Sequence, residues 1–372
     1  MSDWVGRAEA LERLGVRAQT LYSYVSRGRI GMQPDPQDPR RSLYATADLD
    51  NMIAHRRRGR KAVAIAASAL AWGEPSIPTR ISTIERGRLI YRGEDAVALS
   101  ERCSLDDVAA LLWEQPGPVR FTSDVPPTAG GSLTVIARLA ETSMASLGRS
   151  SASLSADGAA TIAALVHSFG AVTEDAAPLH TRLATAWSLN GERTDLLRRV
   201  LVLLADHDLN ASTFAVRVAA STGASIPACL LAGLSTLSGP HHGGAAAALA
   251  MLVRQAEQEG PKAALEHWLA SGRSLPGFGH PLYPHGDVRA QALLARFDLD
   301  PVMAGLADVA GTATDRLPNI DFALVAATRA FGLPQNAPMT LFALARSVGW
   351  VAHAIEQITT GTLIRPRGRY EG

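Results

Sequence analysis

The sequence predicts a mainly α-helical protein in two parts, a short basic helix-turn-helix unit followed by a long Ala- and Leu-rich helical region. Three observations carry this reading. Alternating β-branched runs are scarce, apolar residues recur at helical spacing from about Lys61 onward, and charge is unevenly divided along the chain. Residues 1–61 hold twelve Lys/Arg against seven Asp/Glu, and the rest hold twenty-four against twenty-eight, although the net charge is only +1. That asymmetry sets the first part aside as a module suited to an anionic partner. With 372 residues, 47% hydrophobic and 19% charged, the chain can bury a sizeable core, which argues against wholesale disorder.

In order along the chain, Arg7 to Leu14 is an amphipathic helix with Ala8, Leu11 and Leu14 on one face. Gly15-Val16 turns the chain, and Ala18 to Ser26 makes a second helix ended by Gly28. Pro34 to Arg41 is a polar turn segment, Arg41 to Tyr44 is strand-like, and Asp48 begins another short helix. Arg80 to Tyr91 reads as a small hairpin around Gly87. Ser104 to Trp113 is a helix with a Ser104 cap and Asp107 three residues on. Further helices run over Leu196 to Leu204, Ala228 to Leu237, Ala245 to Gln255 and Met339 to Gln357. Residues 119–160, rich in Thr, Ser, Gly and Ala, carry the weakest pattern, and no tandem repeat is visible.

Only Cys103 and Cys229 occur, far apart and outside any metal-ligand spacing, so neither a disulfide framework nor a zinc site is expected. The stretch from Arg56 to Trp72 looks superficially like a charged region and an apolar core of a leader. Its apolar part is about eleven residues, too short to span a bilayer, and a buried helix is the expected structure. A cytoplasmic protein with no membrane partner is expected.

Three segments carry chemistry. They read Gly239-Pro240-His241-His242-Gly243-Gly244, Pro276-Gly277-Phe278-Gly279-His280-Pro281-Leu282-Tyr283 and Leu317-Pro318-Asn319-Ile320-Asp321. Gly and Pro hold backbone in tight turns, which can present a titratable side chain to a cleft in a fixed orientation. Two neutral imidazoles and one carboxylate are the groups that form an enol from a weak carbon acid and polarise a carbonyl electrophile. The residues alone leave His241 and His242 interchangeable. They also allow Asp321 to be the N-cap of a helix starting at Phe322, and His280 to be an ordinary turn histidine.

The order and surroundings of these segments resemble the citrate synthase family from about Trp72 to the C-terminus. Supporting strings are Tyr91-Arg92-Gly93, Asp206 to Thr213, Ala345 to His353 and Ile364-Arg365-Pro366-Arg367. The resemblance implies a helical fold with a large part at about 62–242 and 333–372 and a small part at about 243–332. It implies Asp321 as general base, His242 as hydrogen-bond donor to a thioester carbonyl, and His280 as the group polarising the ketone of an oxo-acid. Oxaloacetate would be held by Arg289, Arg346 and His207, with Arg365 supplied by the partner subunit of a homodimer. Coenzyme A would meet Leu275, Gly277, Phe278, Gly279 and Asn319. The implied reaction condenses acetyl-CoA with oxaloacetate to citrate and CoA, with no metal or resident cofactor. Propionyl-CoA, giving 2-methylcitrate, differs by one methylene and is not distinguished by the sequence. The family pattern has Pro before the arginine, where this chain has Val288.

The first sixty residues resemble the winged helix of the MerR and excisionase type, through Leu14-Gly15-Val16, Thr20 to Val25 and Gly28-Arg29-Ile30. That resemblance implies Arg17, Gln19, Thr20 and Tyr22 at a DNA groove, and Arg40 and Arg41 near phosphates. A helical appendage that caps the larger part is the bland alternative, and a regulator sensing CoA or a carboxylate is the other function class.

Overall fold

The computed structural model describes residues 4–16, 20–21, 24–25, 30–36, 38, 41–50, 76–122, 130–170, 177–368 and 370. They fall into two compact units, Met1–Pro78 and Thr79–Gly372. The boundary expected near residue 60 and the apolar stretch at 56–72 lie outside the described residues.

In the first unit, strand β1 (Trp4–Gly6) leads directly into the helix Arg7–Leu14. Gly15 ends that helix in the left-handed conformation, its N–H reaching Leu11 O at 2.9 Å. Strands β2 (Met32–Pro34) and β3 (Ser42–Ala45) complete an antiparallel sheet of order β1-β3-β2. Val5, Ala10, Leu14, Leu21, Ile30, Tyr44 and Leu49 form a core of their own. The third helical stretch covers 46–50, two residues earlier than expected, and the Asp48 carboxylate accepts the Gly31 N–H at 2.8 Å. Asp48 thus ties this stretch to the chain ahead of β2 instead of opening a helix. Among the residues expected at DNA, Thr20 is helical and half-buried, and exposed Arg41 pairs with Asp38 at 3.3 Å. Arg17, Gln19, Tyr22 and Arg40 lie outside the described residues, as does most of the helix expected over 18–26.

The second unit opens with a sheet of β4 (Ser82–Glu85), β5 (Arg88–Tyr91) and β6 (Glu94–Asp95). The β4–β5 turn is Arg86-Gly87, both with positive φ, as a tight two-residue hairpin requires. The rest of the unit is dominated by helices. The expected Ser104 cap is a full capping box with Asp107 on the helix Leu105–Trp113. The weakly patterned 119–160 region contains the helix Ser132–Thr142 and the start of Ser151–Ser168, the latter capped by Ser150.

The 24-residue helix Ala337–Thr360 runs through the main core and is buried along most of its length. Helices 105–113, 151–168, 192–204, 211–221 and 226–237 pack around it. Gly349 lets it pass close to the chain at Ala205-Asp206, where any Cβ would collide with the Asp206 carboxylate. A second core draws on residues 249–326, including Leu249, Leu265, Phe278, Met303 and Phe322. The helix Ile320–Phe331 serves both cores, sending Ala323, Leu324 and Ala327 to the first and Phe322, Val325 and Ala326 to the second. Among the described residues, no helix is long and apolar enough to cross a membrane.

Candidate active site

His242 sits in the turn between helices Ile226–Leu237 and Ala245–Glu259. Its N–H bonds Gly239 O at 3.0 Å, and the Gly243 N–H bonds Leu237 O at 3.0 Å. A side chain on Gly243 or Gly244 would strike this backbone, so the paired glycines are what permits so tight a turn. The structure separates the two histidines that residue types alone left equivalent, in line with the resemblance, which pointed to His242. His241 is exposed, whereas His242 is half-buried, with Nε2 2.8 Å from Ser212 Oγ and its ring edge-on to Phe342. Burial, aided by Arg346, pushes the His242 pKa down to about 4.

The loop at 277–279 is zipped to 317–319. Gly279 N–H bonds Leu317 O at 2.8 Å, Asn319 N–H bonds Gly277 O at 2.9 Å, and Asn319 Nδ2 donates to Gly279 O at 3.0 Å. Gly277 and Gly279 both have positive φ, which L side chains resist. Of the residues expected at coenzyme A, Leu275 and Phe278 turn their side chains into the protein, and Phe278 packs on Phe322 with ring centroids 5.1 Å apart. The zipper pairs the backbone just ahead of His280 with the backbone just ahead of Asp321, two segments forty residues apart in sequence.

Asp321 is not the helix cap that its sequence position allowed. Asn319 is the cap of Ile320–Phe331, its Oδ1 accepting from Asp321 N at 3.0 Å and Phe322 N at 3.4 Å. The Asp321 carboxylate is therefore released from backbone duty. Desolvation raises its pKa to about 6, with Arg289 opposing and Asp287 adding to the rise. His280 accepts the Leu282 N–H on Nδ1 at 3.2 Å, so the neutral ring carries its proton on Nε2. Burial, then Arg289, lowers its pKa to about 4, with Asp287 opposing.

Two buried arginines supply positive charge. Arg289, at the start of the helix Val288–Leu294, is gripped by Asp287. Arg346, 1% exposed, donates from Nε to Leu204 O at 3.0 Å, while Nη1 and Nη2 have no hydrogen-bond partner among the described residues. Burial lowers its pKa to about 10. Behind it, Arg217 Nε donates to His353 Nδ1 at 3.0 Å, and His353 Nε2 in turn faces Asp206 Oδ2 at 3.2 Å. Burial opposes the Asp206 charge, but His353, Arg346 and Ser82 hold its pKa below the usual range.

His207 lies between these groups. Burial, then Arg289, Arg346 and His280, pushes its pKa well below the usual value. Its ring is 5.1 Å from the His280 ring, and its Nε2 is 3.0 Å from Tyr283 Oη. Arg346 thus acts on His242 and His207, and Arg289 on His207, His280 and Asp321. Arg365 is exposed after the long helix, and among the described residues no hydrogen bond or ion pair joins it to this cluster. Sequence reasoning missed Asp287, Tyr283 and Ser212. Tyr283 stood at the end of a flagged segment, Asp287 two residues before Arg289, and Ser212 in the string that contains His207. Among the described residues, no group of three or more His, Cys, Asp or Glu could hold a metal.

Residues 131–367 match the family model for the citrate synthase C-terminal domain. The chain belongs to the citrate synthase family. The matched span includes His207, His242, His280, Arg289, Asp321, Arg346 and Arg365. Citrate synthase 2 of Bacillus subtilis is 33% identical over 202 residues, 50% of this chain and 54% of that protein. 2-Methylcitrate synthase 2 of Corynebacterium glutamicum is 33% identical over 183 residues, 46% of this chain and 48% of that one. The chain spans about half the length of the relatives it matches in sequence. The Thermotoga maritima citrate synthase structure shares the fold with TM-score 0.67 and 23% identity, covering 81% of this chain and 94% of that one. A Thermoplasma acidophilum citrate synthase, in ternary complex with carboxymethyl coenzyme A and oxaloacetate, does so with TM-score 0.66 and 24% identity, covering 82% and 96%.

Proposed function

We propose that this citrate synthase family member condenses acetyl-CoA with oxaloacetate to give citrate and CoA. One observation carries the reading: Asn319 takes over the helix cap and leaves a desolvated Asp321 carboxylate within the field of Arg289, which also acts on His280. Asp321 removes a proton from the methyl carbon next to the thioester carbonyl. His242 donates a hydrogen bond to that carbonyl as the enol forms, which requires the Ser212 hydroxyl to donate to Nε2 and leave the proton on Nδ1. The enol carbon attacks the ketone of oxaloacetate, and His280 passes its Nε2 proton to the forming alkoxide. Arg346 and Arg289 bind the dicarboxylate, Arg346 offering two unpaired Nη groups. Citryl-CoA is then hydrolysed, and no resident cofactor is needed. Arg365 completes the pocket of the partner in a homodimer, and the backbone of 275–279 with Asn319 receives coenzyme A. The Thermoplasma acidophilum complex, of the same fold, holds a coenzyme A analogue with oxaloacetate, which supports this substrate pair.

The similarity to a 2-methylcitrate synthase favours a second acyl donor, propionyl-CoA. Thiol release from acetyl-CoA, with and without oxaloacetate, tests the main reading, and the same assay with propionyl-CoA ranks the two. Oxaloacetate-independent release, or none from either thioester, would overturn it.

The N-terminal unit has its own core and an excess of positive charge, which supports duplex DNA as its partner. Binding should weaken steeply with salt. Removing residues 1–60 should abolish it and leave condensation intact. An inactive truncated chain, with no DNA affinity in the full chain, would instead make this unit a structural cap.

A further inference from the structure

Tyr283 is buried at 2% exposure in the middle of the cluster, on a turn tied down by its own N–H to His280 O at 2.9 Å and by Gly286 N–H to its O at 3.1 Å. Its ring lies 5.0 Å from the His280 ring and 5.6 Å from the His207 ring, and the Arg289 guanidinium carbon sits 5.3 Å from its centroid. Its hydroxyl meets His207 Nε2 at 3.0 Å, so that nitrogen is already engaged. One side chain therefore touches both histidines and the arginine of the oxo-acid pocket. We propose that Tyr283 is a positioning residue of this pocket, its hydroxyl fixing the His207 ring and its face holding Arg289 against His280. The proposal rests on the condensation reading for its substrate but on the structure alone for the tie itself.

Burial keeps the phenol protonated, with its pKa raised to about 12, and keeps His207 neutral, so the pair stays a neutral hydrogen bond at working pH. A cation over an aromatic face gains attraction without losing its free N–H groups, so Arg289 can be held by Tyr283 and still meet a carboxylate.

The test is Tyr283→Phe beside Tyr283→Leu in the full chain. Removing only the hydroxyl should raise KM for oxaloacetate roughly tenfold, with kcat within about threefold and KM for acetyl-CoA unchanged. Tyr283→Leu should raise the oxaloacetate KM further, because Arg289 also loses its cover. Independently of any substrate, long-range proton–nitrogen NMR of 15N-histidine protein should show the His207 ring nitrogens shifting in Tyr283→Phe, with His207→Gln providing the assignment. Unshifted His207 signals overturn the proposal. So does a parallel loss of kcat and Tm with unchanged KM, which would mark a purely structural residue. A wild-type chain that neither binds nor turns over oxaloacetate would defeat the condensation reading, while the NMR shift would still decide the tie.

Discussion

Asp287 grips Arg289 on two sides, Oδ1 accepting from Nε at 2.9 Å and Oδ2 from Nη2 at 2.8 Å. The same Oδ2 accepts the Ile320 N–H at 3.0 Å, so one buried carboxylate joins the Arg289 guanidinium to the first turn of the helix that carries Asp321. Arg289 and the helix start that carries Asp321 are set in register by a single residue.

Asp287→Asn removes the charge and one acceptor while keeping the shape. The kcat/KM for oxaloacetate should fall roughly 10–100-fold, the scale of a lost charge-assisted bond. Asp287 raises the Asp321 pKa, so its neutralisation lowers that pKa. The ionised carboxylate then survives to lower pH, and the acid limb of the kcat/KM profile, which reports the free enzyme, should move below its wild-type position. An unmoved limb would separate Asp287 from the base.

Asp321→Asn should abolish turnover and leave oxaloacetate affinity nearly intact, since the proposed site assigns that substrate to the arginines. It should also stabilise the protein at neutral pH. The folded pKa of about 6 lies above the unfolded value of about 3.9. The favourable contribution of the protonated acid is thus complete below about pH 4 and gone above the folded pKa. Relative to Asn, wild type should be equal at pH 4 and less stable at pH 8 by roughly 1–3 kcal/mol. Thermal melts of both proteins across that range check the sign.

Arg346→Met exchanges a buried guanidinium whose Nη groups lack partners for an apolar chain of similar length. Oxaloacetate affinity should drop by roughly 10²–10³-fold, while Tm stays level or rises. Calorimetric titration alongside a melt reads both. A large loss of Tm would mean that Arg346 chiefly holds the fold together.

Ser212→Ala deprives His242 Nε2 of its partner at 2.8 Å. The kcat should fall by up to about tenfold, the worth of one hydrogen bond, with KM for oxaloacetate unchanged. His241→Leu is the matched control, because His241 is exposed, and it should be tolerated.

Much of this protein is legible in the linear chain because helix formation is local. Apolar spacing and the Ser104–Asp107 box mark helices, and Gly87 marks a hairpin, without reference to distant residues. The Gly- and Pro-rich settings of His242, His280 and Asp321 are equally visible in sequence. What the chain could not reveal is which polar group answers which. Asn319 or Asp321 could cap the same helix, and on residue type alone His241 or His242 could turn inward; each choice turns on a few ångströms of tertiary placement. The roles of Asp287, Tyr283 and Ser212 depend on partners 30 to 76 residues away, Ile320, His207 and His242. Desolvation, which sets the pKa values of Asp321 and both histidines, is a property of the packed interior, so only the folded chain decides it.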